Sequence, residues 1–112
     1  MARKNFVLEI GTGTDLRGTD STKAAVKAVS DAIHRGSLYV LDFVPDFGKV
    51  YVDVTVAVPY PETVRQEEVL KALPVGQKTI EVVAGGLAAP YRIGEADEIL
   101  IANAVVRVSI EV

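Results

Sequence analysis

Hydrophobic and polar positions in the first half of the chain change period several times. The apolar run at residues 6–10 predicts a strand, and apolar residues at helical spacing over 21–35 predict an amphipathic helix. Between them, residues 11–20 are rich in glycine and charge, which predicts a loop. Alternating apolar residues over 37–43, followed by turn-forming residues at 45–48, predict a hairpin.

The second half of the chain holds the clearest strand pattern. Valine occupies every second position over 50–58, which predicts a strand with one fully apolar face. A capping-box pattern predicts a short helix over about 62–73, and further strands are predicted over 77–84 and 99–112. In the last strand the apolar residues move from odd to even positions. This change predicts a bulge, bend or break within about two residues of Asn103.

The predicted order of elements is β-α-β-β-α-β-β, which belongs to the α+β class. We expect one domain over residues 1–112, built as a two-layer sandwich with a mixed sheet and both helices on one face. Apolar residues fall on both faces of the predicted strands, and two helices cannot cover both. We therefore expect a homo-oligomer that forms through a permanent, hydrophobic sheet interface.

Composition excludes several classes of protein. With 49% hydrophobic residues, 24% charged residues and a net charge of −3, the chain is neither disordered nor suited by charge to nucleic acid. Cysteine is absent and there is a single histidine, which removes thiolate sites, common zinc sites and Ser-His-Asp triads. No metal or cofactor is expected. No apolar stretch is long enough for a membrane helix, and we expect a cytoplasmic protein.

Polar chemistry is concentrated in the glycine-rich stretch after the first predicted strand. The stretch is not a dinucleotide-binding fingerprint, because GxGxxG needs glycine where this chain has Leu16. Its amides, and those of the first helical turn, could bind an anion or a developing oxyanion. Alternatively, the glycines only shape a turn that Asp15 caps through local hydrogen bonds. The residues alone leave these two interpretations even.

A second glycine-rich stretch, at Gly85 and Gly86, follows the strand predicted over 77–84. If the two preceding strands run parallel, both stretches lie at the same end of the sheet. We expect Asp15, Arg17 and Lys23 to converge on one cavity at a subunit boundary, where a carboxylate, phosphate or ring carbonyl would be selected. The candidate catalytic residues are Lys23 and Asp15, and the candidate substrate-binding residues are Gly11, Gly13, Arg17, Gly18, Asp20, Gly85 and Gly86.

The segment Gly11–Gly18 reads GTGTDLRG and resembles the GxGxDxHG signature of a small, functionally uncharacterised family found in bacteria and plants. Where that signature has histidine, this chain has Arg17, which cannot titrate as an acid or base. Any activity that needs the histidine is therefore not implied here. The similarity continues at Asp20, Thr22–Ala25, Asp31–His34, Ala57–Pro59 and Val82–Ala88.

The segment Ala84–Pro90 is also distantly similar to the cyanuric acid hydrolase and barbiturase family. Single chains of that family hold three similar domains around a central site with lysine–serine pairs, so the resemblance implies a trimer of this chain. It also implies Lys23 as the lysine, although Ala88 and Ala89 stand where a nucleophilic serine is needed.

Two functions remain open from the sequence. The first is a homo-oligomer, with a trimer favoured, that binds a polar, anionic or cyclic amide ligand between subunits, with or without hydrolysing it. The alternative is a non-catalytic structural or regulatory module in which the glycine-rich stretch only shapes the interface.

Overall fold

The computed structural model describes residues 2–18, 20–35, 49–73, 76–92 and 94–111. Its elements are β1 (Arg3–Gly18), α1 (Thr22–Arg35), β2 (Val50–Val58), α2 (Gln66–Leu70), β3 (Gln77–Ala84), β4 (Leu87–Pro90) and β5 (Glu98–Glu111), with a 3₁₀ turn at Pro61–Thr63. The hairpin predicted over 37–43 and 45–48 lies outside the described residues.

The central strand of the sheet is β5. The strand order is β1-β5-β2-β3, and β4 pairs with the first residues of β5. β5 is antiparallel to β1, β2 and β4, whereas β2 and β3 are parallel to each other. The carboxyl ends of β1, β2 and β3 therefore lie at one end of the sheet. In the part of the chain that the structure describes, a five-stranded mixed sheet with two α-helices confirms the predicted α+β class.

The helix-facing side of the sheet carries the core. Every second residue of β2 from Val50 to Val58 is buried, as the valine alternation predicted. α1 contributes Val29 and four buried alanines to the same cluster. The second helix is shorter than the predicted 62–73, because a 3₁₀ turn takes its first residues, but Val69 and Leu73 still anchor it in the core.

Residues 11–18 form a strand and not the predicted loop, because β1 continues without interruption to Gly18. Gly11 and Gly13 are both paired with residues of β5. The high glycine content suggested a turn, but neither residue has a positive φ.

The glycines of β1 are required by the helix above them. A Cβ on Gly11 would lie 2.2 Å from the carbonyl oxygen of Ala28, and one on Gly13 would lie 2.2 Å from that of Ala24. Both distances are far below van der Waals contact, so the backbone of α1 occupies the space that a side chain would need. Glycine here allows close packing between a helix and a strand.

The bulge predicted near Asn103 is wrong. The ladder between β5 and β1 is unbroken from Leu100 to Val108, and the two irregularities of this ladder lie in β1, at Phe6 and just after Asp15. Even-numbered residues of β5 from 100 to 106 face the helices and are buried, two of them as alanine. The odd-numbered apolar residues that suggested a change of phase, Ile99, Ile101 and Val105, lie on the opposite face.

The face of the sheet opposite the helices, hereafter the open face, carries exposed apolar residues in β1 and β4. No helix in the described part of the chain covers it. Leu8, Ile10 and Leu87 share this face with Val105 and Ile101, and they are 58%, 59% and 55% exposed. The expected oligomerisation through the sheet stays a prediction. Among the described residues, no helix combines the length and apolar character needed to cross a membrane.

Candidate functional site

β1 ends in a bulge beside the first residues of β5. The ladder pairs Asp15 with Leu100 and resumes with Gly18 opposite Glu98, so β1 accommodates one extra residue between these pairs. The backbone N–H of Arg17 donates to Oδ1 of Asp15 at 3.4 Å. A Cβ on Gly18 would lie 2.5 Å from Cδ1 of Leu100, so the bulge also needs a residue without a side chain. Asp15 thus makes the local hydrogen bond that the turn interpretation expects of it.

The side chain of Arg17 lies at the surface of this bulge. The side chain is 57% exposed, and its Cζ lies 4.8 Å from the centroid of the Tyr91 ring. Its Nε is 3.9 Å from Oδ2 of Asp97. The guanidinium of Arg92 lies 5.3 Å from the same ring centroid. Among the described residues, none accepts a hydrogen bond from the terminal nitrogens of Arg17.

Lys23 lies on the side of α1 that borders β1. Lys27, one turn later on that side, donates from Nζ to the carbonyl oxygen of Thr14 at 3.1 Å. α1 runs antiparallel to β1, so Lys23 lies farther along β1, towards Arg17, and it is exposed. Among the described residues, Lys23 makes no hydrogen bond or ion pair with Asp15 or Arg17.

The start of α1 is held by a buried polar network. Oδ1 of Asp20 accepts the Thr22 N–H at 2.9 Å, and Oδ2 accepts from Nη1 of Arg65 at 3.0 Å. These hydrogen bonds, chiefly the one from the Thr22 backbone, hold the pKa of Asp20 below its ordinary value. The buried hydroxyls of Ser21 and Thr22 accept the backbone N–H groups of Tyr60 and Arg65. Asp20 is therefore engaged within the protein.

Glu98 joins this network to the end of the sheet. The Tyr60 hydroxyl donates to Oε1 of Glu98, and this hydrogen bond is the main cause that raises the pKa of Tyr60. Glu98 pairs with Gly18 in β1 and with Pro90 in β4. Eight side chains thus meet at one end of the sheet, hereafter the polar end: Asp15, Arg17, Asp20, Tyr60, Arg65, Tyr91, Asp97 and Glu98.

The second pair of glycines lies at the same end but on the other side of β5. Gly85 donates its N–H to the Val58 carbonyl oxygen at 2.9 Å, and Gly86 has φ +66°. A Cβ on Gly86 would lie 2.0 Å from the carbonyl oxygen of Ile101. Two strand spacings, about 10 Å, separate these glycines from β1. They turn the chain into β4, which was not predicted, and they are not brought to Arg17.

Comparison with known proteins identifies the family. Residues 5–108 match the family described as "Conserved hypothetical protein (Lin0512_fam)". This chain belongs to the Lin0512 family. It is similar to the crystal structure of an FtsZ-like protein of unknown function from Nostoc punctiforme, with 41% sequence identity and a TM-score of 0.82 over 100% of this chain and 99% of that one. The comparison with curated proteins finds no match.

This match confirms the prediction that the chain belongs to a family whose function is uncharacterised. The GxGxDxHG signature and the resemblance to the cyanuric acid hydrolase family stay predictions.

The described residues of this Lin0512 chain form two shallow grooves, one that includes Arg65 of the polar end and one away from that end. One, of about 300 Å³, runs along Asn5–Leu8 and Arg107, and the other, of about 490 Å³, runs along α2 from Arg65 to Lys71. Neither groove is lined by Asp15, Arg17 or Lys23, for which a shared cavity was predicted. Within the described ranges, no three His, Cys, Asp or Glu side chains cluster so as to hold a metal ion.

The aromatic and acidic neighbours of Arg17 were not predicted as part of the site. Tyr91 and Asp97 lie in the acidic connection between β4 and β5, whose composition is typical of a solvated loop. They reach Arg17 because β4 and β1 flank the first residues of β5 on its two sides. Pairing between distant strands has no signal in a single sequence.

Proposed function

We propose that this Lin0512-family protein binds a small anionic or carbonyl-bearing ligand at the polar end, with Arg17 as its principal contact. The observation that carries the proposal is the Arg17 side chain, which is 57% exposed and whose guanidinium lies over the ring of Tyr91. A planar guanidinium offers paired N–H donors that match a carboxylate, a phosphate or a ring carbonyl.

The neighbours of Arg17 orient the guanidinium and leave its donors available. Stacking on Tyr91 contributes about 0.5–1 kcal/mol at an exposed site. The contact between Nε and Asp97, at 3.9 Å and half exposed, adds less than about 1 kcal/mol. Both contacts restrict the side chain before a ligand arrives, which lowers the entropic cost of binding. The terminal nitrogens, which carry four of the five donors, face no acceptor among the described residues.

The backbone amides at the start of α1 are a weaker candidate for the anion-binding group. The Ser21 N–H donates to Oγ1 of Thr63 at 2.8 Å, and the Thr22 N–H donates to Asp20. Gly11 and Gly13 have no open space in front of them, because α1 fills it. Ligand binding at this end would therefore depend on side chains, with Arg92 and Lys23 adding positive potential around Arg17.

We propose that a second subunit completes this site, in a homo-oligomer for which a trimer is favoured. Leu16, directly before Arg17, is 57% exposed. A subunit packed against Leu16 would bury a large apolar side chain and enclose the guanidinium next to it. Enclosure would strengthen the attraction between Arg17 and an anion, because the effective dielectric constant falls.

The proposal is tested by thermal unfolding in the presence of acetate, inorganic phosphate, a cyclic imide and a ureide such as barbiturate. A ligand that binds the folded state at one hundred times its Kd stabilises it by about 2.7 kcal/mol and raises Tm. We expect at least one of these classes to raise the Tm of the wild type. The increase should disappear in Arg17→Ala, decrease in Arg17→Lys and persist in Lys78→Ala. This last variant removes an exposed charge from β3 near the opposite end of the sheet.

A second candidate function is a non-catalytic structural module, favoured by the exposed leucines of the open face. A stable oligomer whose Tm responds to none of the four ligand classes would support this candidate and contradict binding at Arg17. Turnover of the cyclic imide or ureide that is lost in Lys23→Ala and Asp15→Ala would instead add hydrolysis to binding. These two variants test the catalytic roles that the sequence suggested.

A further inference from the structure

The outer edge of β1 is the side that faces away from β5. Its backbone N–H and C=O groups are bonded by side chains, and in this sense capped, along only part of the strand. The Thr12 N–H donates to Oδ2 of Asp31 at 2.9 Å, and the Thr14 carbonyl oxygen accepts from Nζ of Lys27 at 3.1 Å. Both backbone groups therefore point away from β5, and two side chains of α1 cover them. In an antiparallel strand the N–H and C=O groups of alternate residues point to the same side. Even-numbered residues of this stretch thus present their backbone groups to the outer edge.

Along the part of the edge before Thr12, no described residue forms such a cap. The register with β5 is unbroken from Val7 to Asp15, so the backbone groups of Leu8 and Ile10 also point outward. No described residue bonds to them, since the backbone bonds outside regular elements lie elsewhere. Leu8 and Ile10 are 58% and 59% exposed, and Phe6 is 46% exposed beside a shallow groove. An uncapped apolar edge of this kind is a template for another strand.

We propose that the edge of β1 around Leu8 pairs antiparallel with the same edge of a second copy, about a two-fold axis at Leu8. The sheet then runs continuously through the dimer, with β1 of each copy at its centre. This proposal is independent of ligand binding at Arg17, because the two segments lie at opposite ends of β1.

A second copy is the occupant that the chemistry of this segment fits. From Phe6 to Ile10 the only charge is that of Glu9, so the edge offers no charge pattern that would select a basic or acidic peptide. Its apolar residues lie on both sides of Leu8, which makes the segment self-complementary in an antiparallel pairing. An isologous two-fold contact uses the same patch on both copies and is the commonest arrangement in homo-oligomers.

Two features fix the register between the two copies of β1: the N–H of Thr12, which is already bonded, and the charge of Glu9. An axis at Ile10 would pair Leu8 with the partner's Thr12, whose N–H is already bonded to Asp31. An axis at Glu9 would place two carboxylates directly opposite each other, which destabilises a strand pair. An axis at Leu8 pairs Leu8 with its own equivalent and sets Glu9 opposite the partner's Val7. Of the registers that pair outward groups after the irregularity at Phe6, the axis at Leu8 alone avoids both conflicts. It sets Ile10 opposite the partner's Phe6, so regular pairing is limited to the residues next to Leu8.

Cysteine cross-linking tests this register directly, because the chain contains no cysteine of its own. Hydrogen-bonded residues opposite each other in an antiparallel pair have Cα atoms about 5.5 Å apart, which is within the range of a disulfide. Leu8→Cys should give a covalent dimer on mild oxidation, and reductant should reverse it. Ile10→Cys is the matched control: it carries the same exposed thiol but lies about 13 Å from its equivalent, four residues along the strand. Equal cross-linking of the two variants, or none with Leu8→Cys, would overturn the proposal.

The mass of the full-length chain in solution gives a second, independent test by light scattering. Leu8→Pro removes the outward N–H and leaves the ladder to β5 intact, so circular dichroism should stay unchanged while the assembly mass falls to half that of the wild type. Lys78→Ala, at an exposed residue of β3 on the opposite edge of the sheet, should keep the wild-type mass. The opposite pattern, or a wild type that is monomeric at tens of micromolar, would overturn the proposal. If Leu8→Pro does not fold, the pair of cysteine variants decides.

Discussion

Gly11 and Gly13 set the distance between α1 and β1. We expect Gly11→Ala to lower the free energy of unfolding by about 3 kcal/mol, because its Cβ would lie 2.2 Å from one backbone atom of α1 and 2.4 Å from another. Gly94→Ala is the control, since this glycine has φ +83° but no atom within 4 Å of a built Cβ. It should cost about 1 kcal/mol through backbone strain alone. Urea unfolding measures both, and equal losses would contradict the packing role of Gly11.

At the scale of single residues, the sequence singled out Gly11 and Gly13 but predicted a loop where the structure has a strand packed against α1. A glycine that lies beneath a helix and a glycine in a loop look the same in one sequence. The signal that distinguishes them here is on the helix, where Ala24, Ala28 and Ala32 recur at spacings of four and present a smooth surface. The hydrogen bond that Asp15 accepts from the Arg17 N–H agrees with one of the two interpretations of this stretch, because an Asp side chain commonly accepts from the amide two residues later.

At the scale of elements, the cap of α1 predicts a dependence on pH. The pKa of Asp20 is lowered in the folded state from an ordinary value of 3.8, so its contribution is fully present above that value. It is lost as the pH falls through the lower folded-state pKa. We expect Asp20→Ala to lower the stability at pH 7 by about 1 kcal/mol and to flatten the acid side of the stability curve. Denaturant unfolding between pH 3 and 7 measures this. A variant that keeps the wild-type slope would show that Asp20 does not stabilise the start of α1.

The strands over 50–58, 77–84 and 99–112 were predictable, but the uninterrupted course of the last one, β5, was not. β2 alternates between valine and more polar residues, so its period is visible in the sequence. β5 carries isoleucine and valine on the open face and alanine in the core at Ala102 and Ala104, which hides the alternation. β4 was missed because four residues that include two alanines and a proline carry little strand signal.

At the scale of the whole molecule, the strand order decides which residues meet. Arg17 lies near Tyr91 and Asp97 because β1 and β4 flank β5, an arrangement that depends on long-range pairing. The open face, where association through the sheet is predicted, and the β1 edge around Leu8, where a dimer is proposed, are separate surfaces. Association through both would place several polar ends in one assembly, each with its own Arg17.

The central claim is that Arg17 receives the ligand, and a titration followed by NMR of the arginine Nε–H groups tests it most directly. With inorganic phosphate or barbiturate added, the Arg17 signal should move and saturate. The signal of Arg107, whose guanidinium donates to Thr55 on the open face at 3.2 Å, should stay in place. An Arg17 signal that does not move with either ligand, or that moves in parallel with Arg107 without saturating, would contradict the account.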